Sequence, residues 1–152
     1  MRNANEVNLS LEDHQVAFTE ISFLLDIFNH TIGDLMGGAT ATVGRIVGRK
    51  MANKLPLFFN NPTIEDVLSE LSQYYKDGCN FTFKAVDDGA ILEFKECAIR
   101  RICMTRNQEL GGEICKMFHY SLAGIVNRIM NSPVKSVIEE SRSTCRTRLV
   151  LL

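Results

Sequence analysis

Little in this chain favours charge of one sign: 17 basic residues stand against 18 acidic ones, for a net charge of −1. That balance removes the electrostatic case for nucleic acid or an anionic membrane as the main partner. No apolar run approaches the roughly 18 residues that a membrane span needs. The opening residues, MRNANEVNLSLEDHQ, hold no apolar signal core, so the expected location is cytoplasmic. Five cysteines, at 79, 97, 103, 115 and 145, form an odd and irregularly spaced set, unlike the even framework of a secreted disulfide scaffold. Reduced thiols are the expectation. No CxxC pair occurs, which argues against a zinc ribbon or a thioredoxin-type centre. GxGxxG, the P-loop, GxSxG and HExxH are missing too, and with them the chemistries those motifs carry. The nearest phosphate-loop mimic, GDLMGGATATVG at 33–44, lacks the Lys-Ser/Thr ending and falls between helices.

What is present suits one domain. A chain of 152 residues, 45% hydrophobic and 23% charged, can bury a core without disulfides or a structural metal. Residues 1–10 read as a flexible N-terminus and 11–152 as a single domain. From Leu11 a helix is expected, its apolar face traced by Ile21, Leu24, Leu25, Phe28, Ile32, Leu35 and Met36. Gly37-Gly38 interrupts it. A second helix follows, with Val43, Ile46, Val47 and Met51 read as inward and Arg45, Arg49, Lys50 and Lys54 as outward. Pro56 closes it. Asn61-Pro62-Thr63 starts a third helix through Ile64, Val67, Leu68, Leu71 and Tyr75.

The period then changes. Phe81, Phe83 and Ala85 alternate with Thr82 and Lys84, as in a strand. Asp88-Gly89 reads as a hairpin turn, and AILEFKEC at 90–97 as the returning strand. Residues 98–111 read as an irregular connection. A fourth helix spans about 113–131 and stops at Asn131-Ser132-Pro133. Strands follow at 134–140 and 145–152. The fold class expected is α+β: an antiparallel four-stranded sheet of two hairpins, packed with about four helices.

Small residues carry a packing message. Gly44 and Gly48 lie four apart on one helix face, and Ser121 and Gly124 three apart on another. Glycine costs a helix about 1 kcal/mol against alanine, so a close backbone approach is expected there. For Gly124 that approach is read as intramolecular. For Gly44 and Gly48 both an intramolecular contact and a dimer seam are open. Cys97 and Cys103 read as packing groups, and Cys79 has no partner in view. His30 and Asp34 suit a surface hydrogen bond. Cys115 and His119 stand a helical turn apart, like a nucleophile and base, but no third group accompanies them. Arg100, Arg101, Arg106, Arg142, Arg146 and Arg148 read either as a solvated face or as a patch for an anionic ligand.

Several segments, taken in order, resemble the 4-vinyl reductase (hydrocarbon-binding) family. They are LEFKEC at 92–97, C-KMFHYSLA-G at 115–124, VKSVIEE at 134–140 and TCRTRLVLL at 144–152, with VGRIVGRKMA at 43–52 upstream. The likeness covers roughly residues 30–152. The family's fold is related to that of haem-based nitric-oxide sensors and of vesicle-tethering subunits. In some relatives, sensor domains for aromatic compounds, zinc is held near the C-terminus. The resemblance implies Cys115, Glu139 or Glu140, and Cys145 as zinc ligands here, with His119 or water in fourth place. The second hairpin cysteine of that pattern is absent: Arg142 or Ser143 occupies its place.

The resemblance also implies an apolar ligand pocket between sheet and helices. Phe28, Met36, Phe83, Met117, Phe118 and Tyr120 are its expected lining, although the same side chains could fill a core. The resulting expectation is a binding or sensing module for a small apolar or aromatic molecule. It has no catalytic site of its own and works as a homodimer. Rival readings are a scaffold that acts through dimer and partner contacts, or an accessory factor of a reductase.

Overall fold

Alternating apolar residues and helices with apolar faces build most of the architecture of this chain, seen in a computed structural model that describes residues 9–36 and 38–152, the side chain of Met36 excepted. The expected flexible N-terminus therefore lies almost wholly outside the described residues, as do Gly37 and the Met36 side chain. Among the described residues, five helices and four strands follow in the order α1 (Leu11–Met36), α2 (Thr40–Ala52), α3 (Ile64–Tyr74), β1 (Phe81–Val86), β2 (Gly89–Phe94), α4 (Ala98–Thr105), α5 (Glu113–Met130), β3 (Val134–Glu140) and β4 (Cys145–Leu151). The four-stranded sheet is antiparallel throughout, in the order β1-β2-β4-β3. No helix among the described residues is long and apolar enough to cross a membrane.

Local chemistry explains the boundaries. Ser10 and Asp13 close a reciprocal capping pair at the start of α1, with the Asp13 amide donating to Ser10 Oγ at 3.1 Å and the Ser10 amide donating to Asp13 Oδ2 at 2.8 Å. Thr63 and Asp66 form the same capping box at α3, worth on the order of 1 kcal/mol. The β1–β2 register pairs Phe81 with Phe94 and Val86 with Gly89. The turn is therefore Asp87-Asp88, one residue earlier than Asp88-Gly89.

Period-two alternation sends Phe81, Ala90, Leu92, Phe94, Val134, Ser136, Thr147 and Leu149 to one buried face. α5 packs on that face, and α2 packs on α5. The opposite face is open and carries the ion pairs Arg146–Glu93, at 2.5 Å, and Arg148–Asp88, at 2.7 Å. Arg106 and Arg101 sit over Phe23 and Phe18 of α1. The arginines are thus dispersed over separate surfaces and do not form one patch.

Further expectations need correction. Residues 98–105 are a helix, α4, whose period turns Ile102 and Cys103 inward and Arg101 outward. In α2 the buried positions are Thr40, Gly44 and Gly48, whereas Ile46 and Val47 are exposed. The close approach of α5 selects the face without side chains. A Cβ on Gly44 would lie 2.8 Å from the Met117 carbonyl oxygen, and one on Gly48 would run into the Ser121 carbonyl oxygen. A Cβ on Gly124 would meet the Arg45 backbone. Both sides of the seam are therefore intramolecular.

Another correction concerns α1. Its inward line is Phe18, Ser22, Leu25, Asn29 and Ile32, with Ser22 and Asn29 buried. Ile21, Leu24, Phe28 and Leu35 are exposed, Leu35 by 80%. The more apolar stripe of α1 thus faces away from its own chain. His30 approaches Asp26, at 3.4 Å, and not Asp34.

Candidate functional site

α5 carries the chemistry. Its buried run includes Ile114, Cys115, His119 and the stretch from Ser121 to Val126, which places Cys115, Phe118 and His119 between the sheet and the connection from α4. The His119 imidazole spans the interface. Nδ1 lies 3.0 Å from Thr147 Oγ1, and Nε2 lies 3.4 Å from Cys145 Sγ. The rings of Phe94 and Phe118 meet it edge-on at 5.1 and 5.3 Å. Burial pushes its pKa down to about 4, because a charged imidazole would lose hydration without gaining an anion. His119 is neutral at pH 7 and faces Cys145 and Thr147, so it is not placed as a base for Cys115.

Four of the five cysteines stand in pairs. Cys79 and Cys97 have sulfurs 3.8 Å apart, and Cys103 and Cys115 have sulfurs 3.7 Å apart. The Cys79 contact holds Cys97 down at about 6, with help from the amides of Arg100 and Ile99. The Cys103 contact holds Cys115 at about 7. Their partners Cys79 and Cys103 are pushed up by those contacts and by burial. Burial lifts Cys145 to about 12.

These groups surround a small cavity beside α4. Ile99, Leu110, Phe118 and Ile138 form its apolar wall, Cys97, Cys115 and Cys145 contribute sulfur, and Arg100, His119 and Ser141 contribute polar groups. Its free volume is ≈ 10 Å³, about the room that one water needs. A surface groove of ≈ 460 Å³ adjoins it and shares Leu110, Gly111, His119, Ile138 and Ser141. The partition is light. Ser141 Oγ donates to the Leu110 carbonyl at 3.3 Å, and the Arg100 guanidinium donates to the Arg142 carbonyl. A larger depression of ≈ 480 Å³ between Pro56 and Glu70 is open to solvent and contains no cysteine or histidine.

The expected lining residues separate. Phe118 borders the cavity, and Tyr120 borders the adjoining groove, where Arg45 stacks on it at 5.5 Å. Met117 is half-buried on α5, and Phe83 is half-buried on β1 against the main core. Phe28 is 55% exposed on the outer stripe of α1, away from the cavity. Met36 lies outside the described side chains. Ile99, Leu110, Ile138 and Ser141 escaped the sequence reading as lining residues, and Arg100 was read there only as part of a basic face or anion patch. The helical period of 98–105 and the inward alternation of β3 are the signals that point to Ile99, Arg100 and Ile138.

The expected zinc ligands separate as well. Cys115, His119 and Cys145 wall one cavity. Glu139 is exposed, with Lys135 and Val137 on the open face of the sheet. Glu140 lies on the covered side, but its carboxylate accepts from the amides of Ser141, at 3.1 Å, and Arg142, at 2.8 Å. Among the described residues no three His, Cys, Asp or Glu side chains form a group that could hold a metal. Of the expected ligands, Cys115, His119 and Cys145 thus share one cavity wall, and neither Glu139 nor Glu140 joins them there.

No protein-family model matches the chain, and no curated protein matches it in sequence. Among solved structures, it is similar to the phenol-responsive sensory domain of the transcription activator PoxR, determined with phenol. The likeness has a TM-score of 0.61 at 11% identity and covers 86% of this chain and 74% of that one. The chain therefore shares its α+β fold with that domain.

Proposed function

We propose that this chain is a small-molecule-binding module of the 4-vinyl reductase (hydrocarbon-binding) kind. It takes a small apolar or aromatic molecule between α4, α5 and the sheet and has no catalytic site of its own. The observation that supports this reading is the mixed cavity on a sensory-domain fold. Ile99, Leu110, Phe118 and Ile138 offer an apolar wall, and Arg100 and Ser141 offer donors for one polar head. Such a composition suits a ligand with a flat apolar body. With ≈ 10 Å³ free, binding requires the Leu110–Ser141 partition to yield, so that the cavity and the groove join. No part of this binding is routed through zinc.

Homodimerisation belongs to the same proposal. The exposed stripe of Ile21, Leu24, Phe28 and Leu35 on α1 is the face on which a second copy would pack, since such patches mark association surfaces. A scaffold acting through contacts alone is the second reading, favoured by the small size of the cavity.

A thermal-shift titration with phenol separates the two. The binding reading predicts a rise in Tm that grows with ligand concentration, following the linkage that gives about 2.7 kcal/mol at a hundredfold excess over Kd. Leu110→Trp, which fills the partition, is expected to abolish the rise. Equal shifts in both proteins would place the ligand elsewhere. No shift with phenol or a panel of small aromatics would favour the scaffold.

A further inference from the structure

The two cysteine pairs share a plan. Each has one sulfur in the cavity wall, Cys97 or Cys115, and one outside that wall, Cys79 or Cys103. They differ in access: Cys97 is half-buried, whereas Cys115 is only 8% exposed and Cys103 is fully buried.

Cys97 is also the N-cap residue of α4, with extended backbone and no side-chain cap bond. Its sulfur stands at the start of α4, where the first-turn amides of Ile99 and Arg100 help to lower its pKa, and the positive end of a helix favours a thiolate. The main chain brackets the pair on both sides. The Lys95 amide donates to the Asn80 carbonyl at 2.9 Å, and the Ala98 amide donates to the Gly78 carbonyl at 2.8 Å. Cys79 and Cys97 are thereby held side by side whatever their sulfurs do. A disulfide of about 2.05 Å requires the sulfurs to close from 3.8 Å, a distance that side-chain rotation covers.

We propose that Cys79 and Cys97 form a reversible dithiol–disulfide switch in the cavity wall, oxidised by hydroperoxides. The Cys97 thiolate attacks the peroxide oxygen. An S–O bond forms, the O–O bond breaks, and the released alkoxide or hydroxide takes a proton to leave as alcohol or water. The Cys79 thiol then attacks the Cys97 sulfenic sulfur. An S–S bond forms, the S–O bond breaks, and water leaves with the Cys79 proton. A dithiol reverses the product by exchange. The chain loses two electrons to the peroxide, which is reduced. The disulfide fastens the base of the β1–β2 hairpin to the start of α4 and draws the Cys97 sulfur out of the cavity wall. The switch stands on the pair's own geometry and does not depend on the ligand reading.

The test is peptide mapping of the reduced full chain after brief exposure to hydrogen peroxide, followed by unfolding in iodoacetamide. The expected product is a Cys79–Cys97 bridged peptide that dithiothreitol cleaves, with Cys103, Cys115 and Cys145 alkylated. In Cys79→Ser, dimedone is expected to trap a sulfenic acid on Cys97. Alkylated Cys79 and Cys97 after peroxide, or a bridge between Cys103 and Cys115 instead, would overturn the proposal. The wild-type map alone decides this, so a poorly folded variant does not leave the question open.

Discussion

Gly48→Ala lowers the stability of the folded chain by about 2 kcal/mol, although alanine is the better helix former. The new methyl would collide with the Ser121 carbonyl oxygen, and it would lie 3.0 Å from the Gly124 Cα. Both obstacles are backbone of α5, so no side-chain rotation relieves them, and α2 must move off α5. Overpacking of this kind costs roughly 1–3 kcal/mol and occasionally more, against a propensity gain of about 1 kcal/mol. Gly33→Ala is the matched control. Gly33 lies inside α1 with nothing within 4 Å of its Cβ position, so the same substitution there is expected to stabilise by about 0.4–1 kcal/mol. Urea unfolding of both variants reads the difference. A Gly48→Ala protein as stable as the wild type would mean that α2 and α5 are not in close contact.

Acid weakens the fold through His119. The group is 2% exposed and its pKa falls from 6.5 to about 4 on folding. The unfolded chain therefore takes up a proton at a pH where the folded chain refuses it. The stability due to the neutral form is complete above pH 6.5 and is lost as pH falls through 4. That displacement corresponds to about 3 kcal/mol over the window. Carboxylates lowered by their hydrogen bonds, Asp13 and Asp66 at helix caps and Glu140 at the β3–β4 turn, act in a lower window, below the ordinary carboxylate range. His119→Gln keeps an amide able to meet Thr147 and has no proton to gain. Its unfolding free energy should stay nearly level between pH 7 and pH 5 while that of the wild type declines. Parallel curves for the two proteins would show that His119 is not buried neutral.

The sheet was legible because a period of two and a Pro or Asp-Gly boundary coincide in the same residues. Val134–Glu140 is marked by Pro133 before it, and Phe81–Val86 by Phe81, Phe83 and Ala85. Helix existence was legible in α1, α3 and α5 for the same reason, from the three-to-four residue recurrence of apolar side chains. Direction was not. The stripe of Ile21, Leu24, Phe28 and Leu35 is the most apolar face of α1, yet it points outward, since periodicity reports that a face needs cover without saying whose. In α2 the rule that apolar residues point inward failed at Ile46 and Val47, because the glycine face permits a closer helix contact than their side chains would allow.

The candidate site was legible only in part. Cys115, His119 and Cys145 emerged from a resemblance, and the structure gathers them at one cavity. Glu139 did not join them, because adjacent strand residues alternate faces and Ile138 occupies the covered one. The Cys79–Cys97 contact could have been found by extending the hairpin register: pairing Phe81 with Phe94 brings residue 79 beside the stretch that holds Cys97. Leu110 and Ser141 offered no such signal, because loop residues meet through tertiary folding alone.

Native mass spectrometry of the freshly purified protein, set against its denatured mass, tests the central claim most directly. The binding account predicts a dimer that carries the excess mass of a small organic molecule, or that gains one equivalent of phenol or a related aromatic per chain on incubation. A protein that stays free of added mass after exposure to phenol and a panel of aromatics and lipids would contradict it.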